Sequence, residues 1–333
     1  MSATEFLQFD LPAMLVGSLA ALVCGLLGNF LVLRRQSLLG DAISHVVLPG
    51  IVLGFLVAGK ISTWPMLIGA GVAALVAVGL IELIKRLSNL ETGAAMGVVF
   101  TAMFAGGVVL LEQTGARGVH LDVEHALYGN VEGTTWLAAK GWSSLLDAAA
   151  LSHLPTSILR LGVVAILAVG FVVLFFKELR LVTFDPAFAS NIGFAPQGLG
   201  LALIIFVSAA AVAAFDAVGS ILVIAMFICP AATARMLTDR LSTQLWASAI
   251  IAFLSGTCGY VLAALVPLWL GLDSSLKAAG MIALVAGAFQ VMAMVFAPQH
   301  GVLSKARRQA KMSQDVLSEG DEELVEFPGR KSQ

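Results

Sequence analysis

The chain has 333 residues, of which 59% are hydrophobic and 12% charged, with a formal net charge of −2 and a mean hydropathy of +0.95. A soluble domain carries roughly twice that share of charge, so a soluble globular fold is excluded. No concentrated basic patch of the kind that binds nucleic acid is present either.

Spanning a bilayer takes about 20 consecutive apolar residues. In chain order that rule places spans at 11–33, 39–58, 64–84, 93–111, 158–176, 197–214, 215–232, 245–265 and 278–296. The expectation is an all-α polytopic membrane protein with eight or nine transmembrane helices, over residues 1–303. The stretch before the first span carries Glu5 and Asp10 but no basic residue, so it lacks the positive n-region of a signal peptide. Arg34-Arg35, Lys85-Arg86, Lys177 with Arg180, Arg235 with Arg240, and the Lys305, Arg307, Arg308 cluster fall on alternate connections that share one side. By the positive-inside rule that side is cytoplasmic, which puts the N-terminus outside and the C-terminus inside.

Small residues mark where these helices approach each other. Gly50 and Gly54 form a GxxxG pair, and Gly17, Gly25, Gly28, Gly69 and Gly71 read as further close-packing positions. Cys24, Cys229 and Cys258 lie far apart in apolar stretches, which gives neither a CxxC pair nor a disulfide framework. They read as small buried hydrophobes.

The second span contains the chemistry. Asp41 and His45 stand four residues apart, on one face of a helix, inside an otherwise apolar segment. A carboxylate and an imidazole suit a divalent cation such as Zn²⁺ or Mn²⁺. Ionisable groups inside a membrane are costly and mark a pathway or a paired contact. Pro49 loosens the helix one turn later. The competing reading is structural, with Asp41 capping a helix that starts near Leu39 and His45 bonded to a carbonyl.

Two connections stand out. After the fourth span, His120, Asp122, Glu124 and His125 fall within six residues. They read either as an outer metal-collecting funnel or as a solvated loop that contacts a binding protein. Residues 136–152 then read as an interfacial amphipathic segment, with Trp136 and Trp142 at headgroup level. After the fifth span, Asp185 is suited to an N-cap, Pro186 to the first helical position and Gly193 to the C′ position. A helix of about two turns is expected there, exposing Phe184 and Phe188 for docking in a partner's groove. Residues 304–333 are polar, basic then acidic, and read as a disordered tail.

These residues resemble a known family. Arg34-Arg35-Gln36-Ser37-Leu38-Leu39-Gly40-Asp41-Ala42-Ile43-Ser44-His45, followed by Pro49-Gly50, is similar to the signature of the permease subunits of zinc/manganese-type ABC importers. The resemblance continues at Glu91-Thr92-Gly93, Leu127-Tyr128-Gly129-Asn130, Phe184-Asp185-Pro186, Ala217-Val218-Gly219-Ser220, Pro230-Ala231-Ala232 and Pro298-Gln299-His300-Gly301. It runs in order to about Leu303 and leaves the tail uncovered. The polar region between Gly133 and Thr156 is longer than in compact zinc members.

The resemblance implies an ATP-driven importer of Mn²⁺ or Zn²⁺ in which Asp41 and His45 line the pathway and touch the ion. It implies no permanently bound cofactor and no catalytic residue. It also implies three kinds of partner: cytoplasmic ATPase subunits seated on the helix before Gly193, an extracytoplasmic metal-binding protein, and a second permease copy, identical or related. Asp216, beside Ala217-Val218-Gly219, is similar to acidic residues of manganese-type members. The chain carries no Gly-x-x-x-x-Gly-Lys-Ser/Thr motif, so ATP hydrolysis falls to a separate subunit. His-Glu-x-x-His is absent as well. The alternatives are an ABC permease for iron or a metal chelate, and a proton-coupled secondary transporter using the same Asp41 and His45.

Overall fold

The computed structural model describes residues 3–59, 63–88, 90–113, 129, 131–271, 276–298 and 301–304. Among them there is no strand. The longer helices are α1 (Leu11–Leu33), α2 (Leu38–Ala58), α3 (Thr63–Leu87), α4 (Thr92–Gln113), α5 (Thr156–Leu174), α6 (Phe176–Phe184), α7 (Pro186–Asn191), α8 (Pro196–Val218), α9 (Ser220–Leu237), α10 (Leu241–Leu270) and α11 (Ala278–Phe296). Nine of the described helices are long and apolar enough to cross a membrane, which leaves α6 and α7 as connections. The chain is a multi-pass membrane protein. His120, Asp122, Glu124, His125 and the expected tail, apart from Ser304, lie outside the described residues.

Helix α1 is the axis of the fold. It is buried along most of its length and packs against α5, α8, α9 and α10. Helices α2, α3 and α4 form one group, α9, α10 and α11 another, and α8 touches α1, α2, α3 and α5. Without water there is no hydrophobic drive between helices in the bilayer, so close backbone approach and polar contacts hold them. Glycine supplies the approach. Gly50 and Gly54 lie against the backbone of Gly69 and Pro65, Gly28 against the carbonyl of Phe227, and Gly259 against Ile282. Gly71 departs from the expectation: a Cβ there would meet nothing within 4 Å. It faces a groove instead of a neighbouring helix.

Polar contacts supply the rest. Gln244 Nε2 donates to Asn29 Oδ1 at 3.0 Å, Asn29 Nδ2 donates to the Gly25 carbonyl at 2.8 Å, and Ser248 Oγ donates to the same carbonyl at 3.0 Å. All three side chains are fully buried between α1 and α10.

Three expectations need correction. The boundary placed between residues 214 and 215 falls at Gly219, whose φ of +77° suits glycine. Phe215 lies in the last turn of the preceding helix, and its carbonyl accepts from the Gly219 N–H at 3.0 Å. Trp136 does not turn its ring outward to the headgroups. It is 2% exposed, its Nε1 donates to the Ala150 carbonyl at 2.9 Å, and it packs with Leu7, Ala139 and Ala150. The connection folds back on the start of the chain: Trp136 N donates to the Gln8 carbonyl, and Gln8 Nε2 to the Ala139 carbonyl. Trp142 is exposed. Of the cysteines, Cys24 is buried and Cys229 half-buried, but Cys258 is exposed.

At the end of α1 opposite Arg34, Tyr260 donates its hydroxyl to Asp10 Oδ1 at 2.9 Å. The Glu132 carboxylate accepts from the backbone N–H of Ala278, capping α11 from a remote connection. Gly129 lies against Val218 and Gly219 at the α8–α9 break. The contacts of Gly129 and Glu132 tie the connection between α4 and α5 to the α8–α9 break and to the start of α11.

Candidate metal pathway site

Helix α2 begins at Leu38, and Asp41 falls in its first turn, where the helix dipole favours a carboxylate. One turn on, His45 Nε2 lies 3.3 Å from Asp41 Oδ1, and the two side chains are 35% and 28% exposed respectively. The histidine therefore pairs with the carboxylate, not with a carbonyl. Its ring stacks on Phe100 at 5.4 Å between centroids and meets Phe104 edge-on at 5.6 Å. Both phenylalanines come from α4, four residues apart on one face. They limit the rotation of the imidazole, whose Nε2 faces Asp41 Oδ1.

Packing fixes the helix that carries the pair. Gly40 lies under the ring of Phe227 from α9, with 2.8 Å between Phe227 Cδ2 and the position a Cβ would take. A turn beyond His45, Pro49 packs against Gly107 of α4, and Gly50 against α3. The motif residues around Asp41 and His45 thus each meet a different neighbouring helix.

Chemically the pair can share one divalent ion. With ligand distances of about 2.1 Å, a 3.3 Å separation subtends roughly 105° at the ion, between octahedral and tetrahedral values. Among the described residues no third histidine, cysteine or carboxylate joins them. Two ligands from one chain make a weak site, which suits a cargo that must be released. The side chain of Asp216, in α8, is not among those described.

The inner connection has the capping arrangement that its sequence asks for. Asp185 Oδ1 accepts from the Phe188 N–H at 2.9 Å, and Pro186 starts α7. At its end Gly193, at φ +91°, donates to the Ser190 carbonyl, and Phe194 N donates to that of Ala189. That pair of bonds is a Schellman closure. Phe184, Phe188 and Ile192 are each about half exposed. The stretch before this helix is itself helical: α6 buries Leu179 and Val182. Reasoning from sequence missed Phe100, Phe104 and Phe227; only the i, i+4 spacing of the first two hinted at a shared face.

The comparisons agree across most of the chain. The model of the ABC 3 transport family matches residues 5–136 and 147–297. The unmatched residues 137–146 lie in the connection that Trp136 anchors. The chain is similar to the manganese transport system membrane protein MntD of Bacillus subtilis, 37% identical over 309 residues, covering 93% of this chain and 99% of that protein. It is similar to the zinc transport system membrane protein TroD of Treponema pallidum, 36% identical over 315 residues, covering 92% and 80%. Among solved structures it resembles PsaBC from Streptococcus pneumoniae in complex with Fab, with a TM-score of 0.68 at 27% identity, covering 87% of this chain and 92% of that one. A transport subunit without an ATP-binding motif of its own, this chain belongs to the ABC 3 transport family.

Proposed function

We propose that this chain is the membrane-crossing permease of an ATP-driven importer for Mn²⁺ or Zn²⁺, and that the ion passes between Asp41 and His45. The observation that carries the site is the 3.3 Å pair itself, two different donor types part-exposed on the first turns of α2. The relatives named for manganese and zinc transport support the cargo. A second permease copy, facing the first, supplies the remaining ligands. Helix α7, with Phe184, Asp185, Pro186, Phe188 and Gly193, seats on cytoplasmic ATPase subunits. Closure of those subunits tilts the spans and switches access to the ion. An extracytoplasmic metal-binding protein delivers the ion from the other side, where His120, Asp122, Glu124 and His125 receive it or contact that protein. In this reading the N-terminus faces out, the C-terminus faces the cytoplasm and the membrane is the inner one. Residues 304–333 form a separate polar tail.

Uptake of labelled Mn²⁺ and Zn²⁺ into cells expressing the permease with its partner subunits tests the site. Asp41→Asn and His45→Ala are each expected to lower uptake at least about tenfold, the scale on which a lost polar partner acts at a metal site. Membrane abundance and stimulated ATP hydrolysis stay near wild type. Uptake that survives both substitutions returns the pair to a structural contact.

A further inference from the structure

The end of the fold near Arg34 holds a cavity of about 840 Å³ between α3, the start of α2 and the first turns of α8. Arg34, Lys85 and Arg86 face it, together with Gln197 and Gly198 at the start of α8. Three cations meet a single carboxylate. Glu82 accepts from Lys85 at 3.3 Å and from Arg86 at 3.2 Å. Arg34 has no ion-pair partner among the described residues, and its guanidinium lies against Gly200, whose Cβ would stand 2.9 Å from Nη2. Burial lowers the pKa of Arg34 from its ordinary value, the mark of a cation partly stripped of water. It keeps its charge nonetheless, because arginine does not deprotonate in proteins. The N-terminus of α8 adds to the same field: no side chain caps it, and its first amides lack helical acceptors.

This basic cavity continues into an apolar groove of about 530 Å³. The two share Leu75 and Ile205, and the groove runs on between α3, α5 and α8 past Gly71 and Val212. From Leu83 to Gly71 the path is 12 residues along α3, about 18 Å at helical rise. One leaflet of the hydrocarbon core is about 15 Å deep. A cationic mouth at the end of the spans, opening into an apolar channel that runs on past leaflet depth to Trp64, 19 residues or about 28 Å from Leu83 along α3, matches one kind of molecule.

We infer that this continuous cavity and groove hold one anionic phospholipid, its phosphate among Arg34, Lys85, Arg86 and the α8 N-terminus and one acyl chain along Gly79, Leu75 and Gly71. Charge complementarity selects the anionic headgroup. A soluble subunit has no reach into an apolar groove that runs between the spans, and a free anion has no use for one. Neither Gly79 nor Gly71 would meet anything within 4 Å if it carried a Cβ, which is the free space that an acyl chain requires.

The test uses the full chain extracted from bilayers of phosphatidylcholine containing a minor fraction of phosphatidylglycerol, with retained lipid read by native mass spectrometry. The wild type retains one phosphatidylglycerol. Arg34→Gln and Arg86→Gln each weaken retention roughly fivefold, as removal of one basic group near a membrane surface should. Gly79→Leu and Gly71→Leu abolish it by occupying the channel. Thermal unfolding in phosphatidylcholine alone is unchanged for the two glycine variants, which keeps the outcome readable if a charge variant folds poorly. Phosphatidylglycerol retained by both glycine variants overturns the inference. So does displacement of the lipid by inorganic phosphate, which would make this a free-anion site, or a second copy of the chain filling the groove with no lipid present.

Discussion

The ring of Phe227 covers Gly40, and the carbonyl of Phe227 fills the place where Gly28 would carry a Cβ. One residue of α9 thereby sets both the axis helix and the turn that presents Asp41. Its ring is fully buried, so it has no room to retreat without moving α2. Interiors packed this closely transmit small displacements instead of absorbing them.

A methyl group at Gly40 should therefore act on the site without touching it. Gly40→Ala overpacks the contact by a methyl, which costs about 1–3 kcal/mol, and shifts the first turn of α2. Metal uptake is expected to fall severalfold while the chain still reaches the membrane. Gly40→Ala combined with Phe227→Leu should recover part of the loss, because leucine vacates the space that the methyl needs. A double variant no better than the single would show that Phe227 does not position Asp41.

The buried pair of Asn29 and Gln244 leads to a second prediction. These amides are 215 positions apart and make a side-chain contact between α1 and α10, beside the one from Ser248 to the Gly25 carbonyl. Polar contacts of this kind in membranes are each worth about 0.6–2 kcal/mol. In a double-mutant cycle with Asn29→Ala and Gln244→Ala, unfolding in mixed micelles should give a coupling energy of about 1 kcal/mol. Each single variant should also lower stability, since it strands a buried amide. Additive effects would mean that the Asn29–Gln244 contact itself adds nothing to the hold between the two helices.

The spans were legible because each is a long apolar run closed by charge, proline or glycine. The α8–α9 boundary was not, since residues 197–232 read as one apolar stretch whose only charge is Asp216. The break depends on the backbone angle at Gly219, which hydropathy does not register. Gly69 and Gly71 look alike in sequence, yet one touches Gly50 and the other faces open groove. Which glycine packs depends on helix rotation. Trp136 misled because its partners, Leu7 and Ala150, are fixed by a fold-back of the chain that amphipathic spacing cannot reveal. At the site, spacing alone brought Asp41 to His45. The aromatic walls and the Phe227 support come from other helices and carry no local signature.

The last prediction concerns α7. Its two ends are locked by separate devices, the Asp185 cap and the Gly193 closure, while Phe188 stands exposed between them and Phe184 just before the cap. Asp185→Ala removes an N-cap worth about 1 kcal/mol, and Gly193→Ala strains a left-handed position by about 1 kcal/mol. Both should loosen the helix locally without unfolding the spans. Phe188→Ala takes nothing from the core and should leave thermal stability unchanged. If α7 is the surface on which ATPase subunits act, all three variants lower metal-dependent ATP hydrolysis and co-purification of the ATPase. Phe188→Ala should then have the largest effect, because it deletes contact area that a partner buries. A Phe188→Ala variant that still co-purifies with its ATPase in full ratio and still imports metal would place the docking surface elsewhere on the chain.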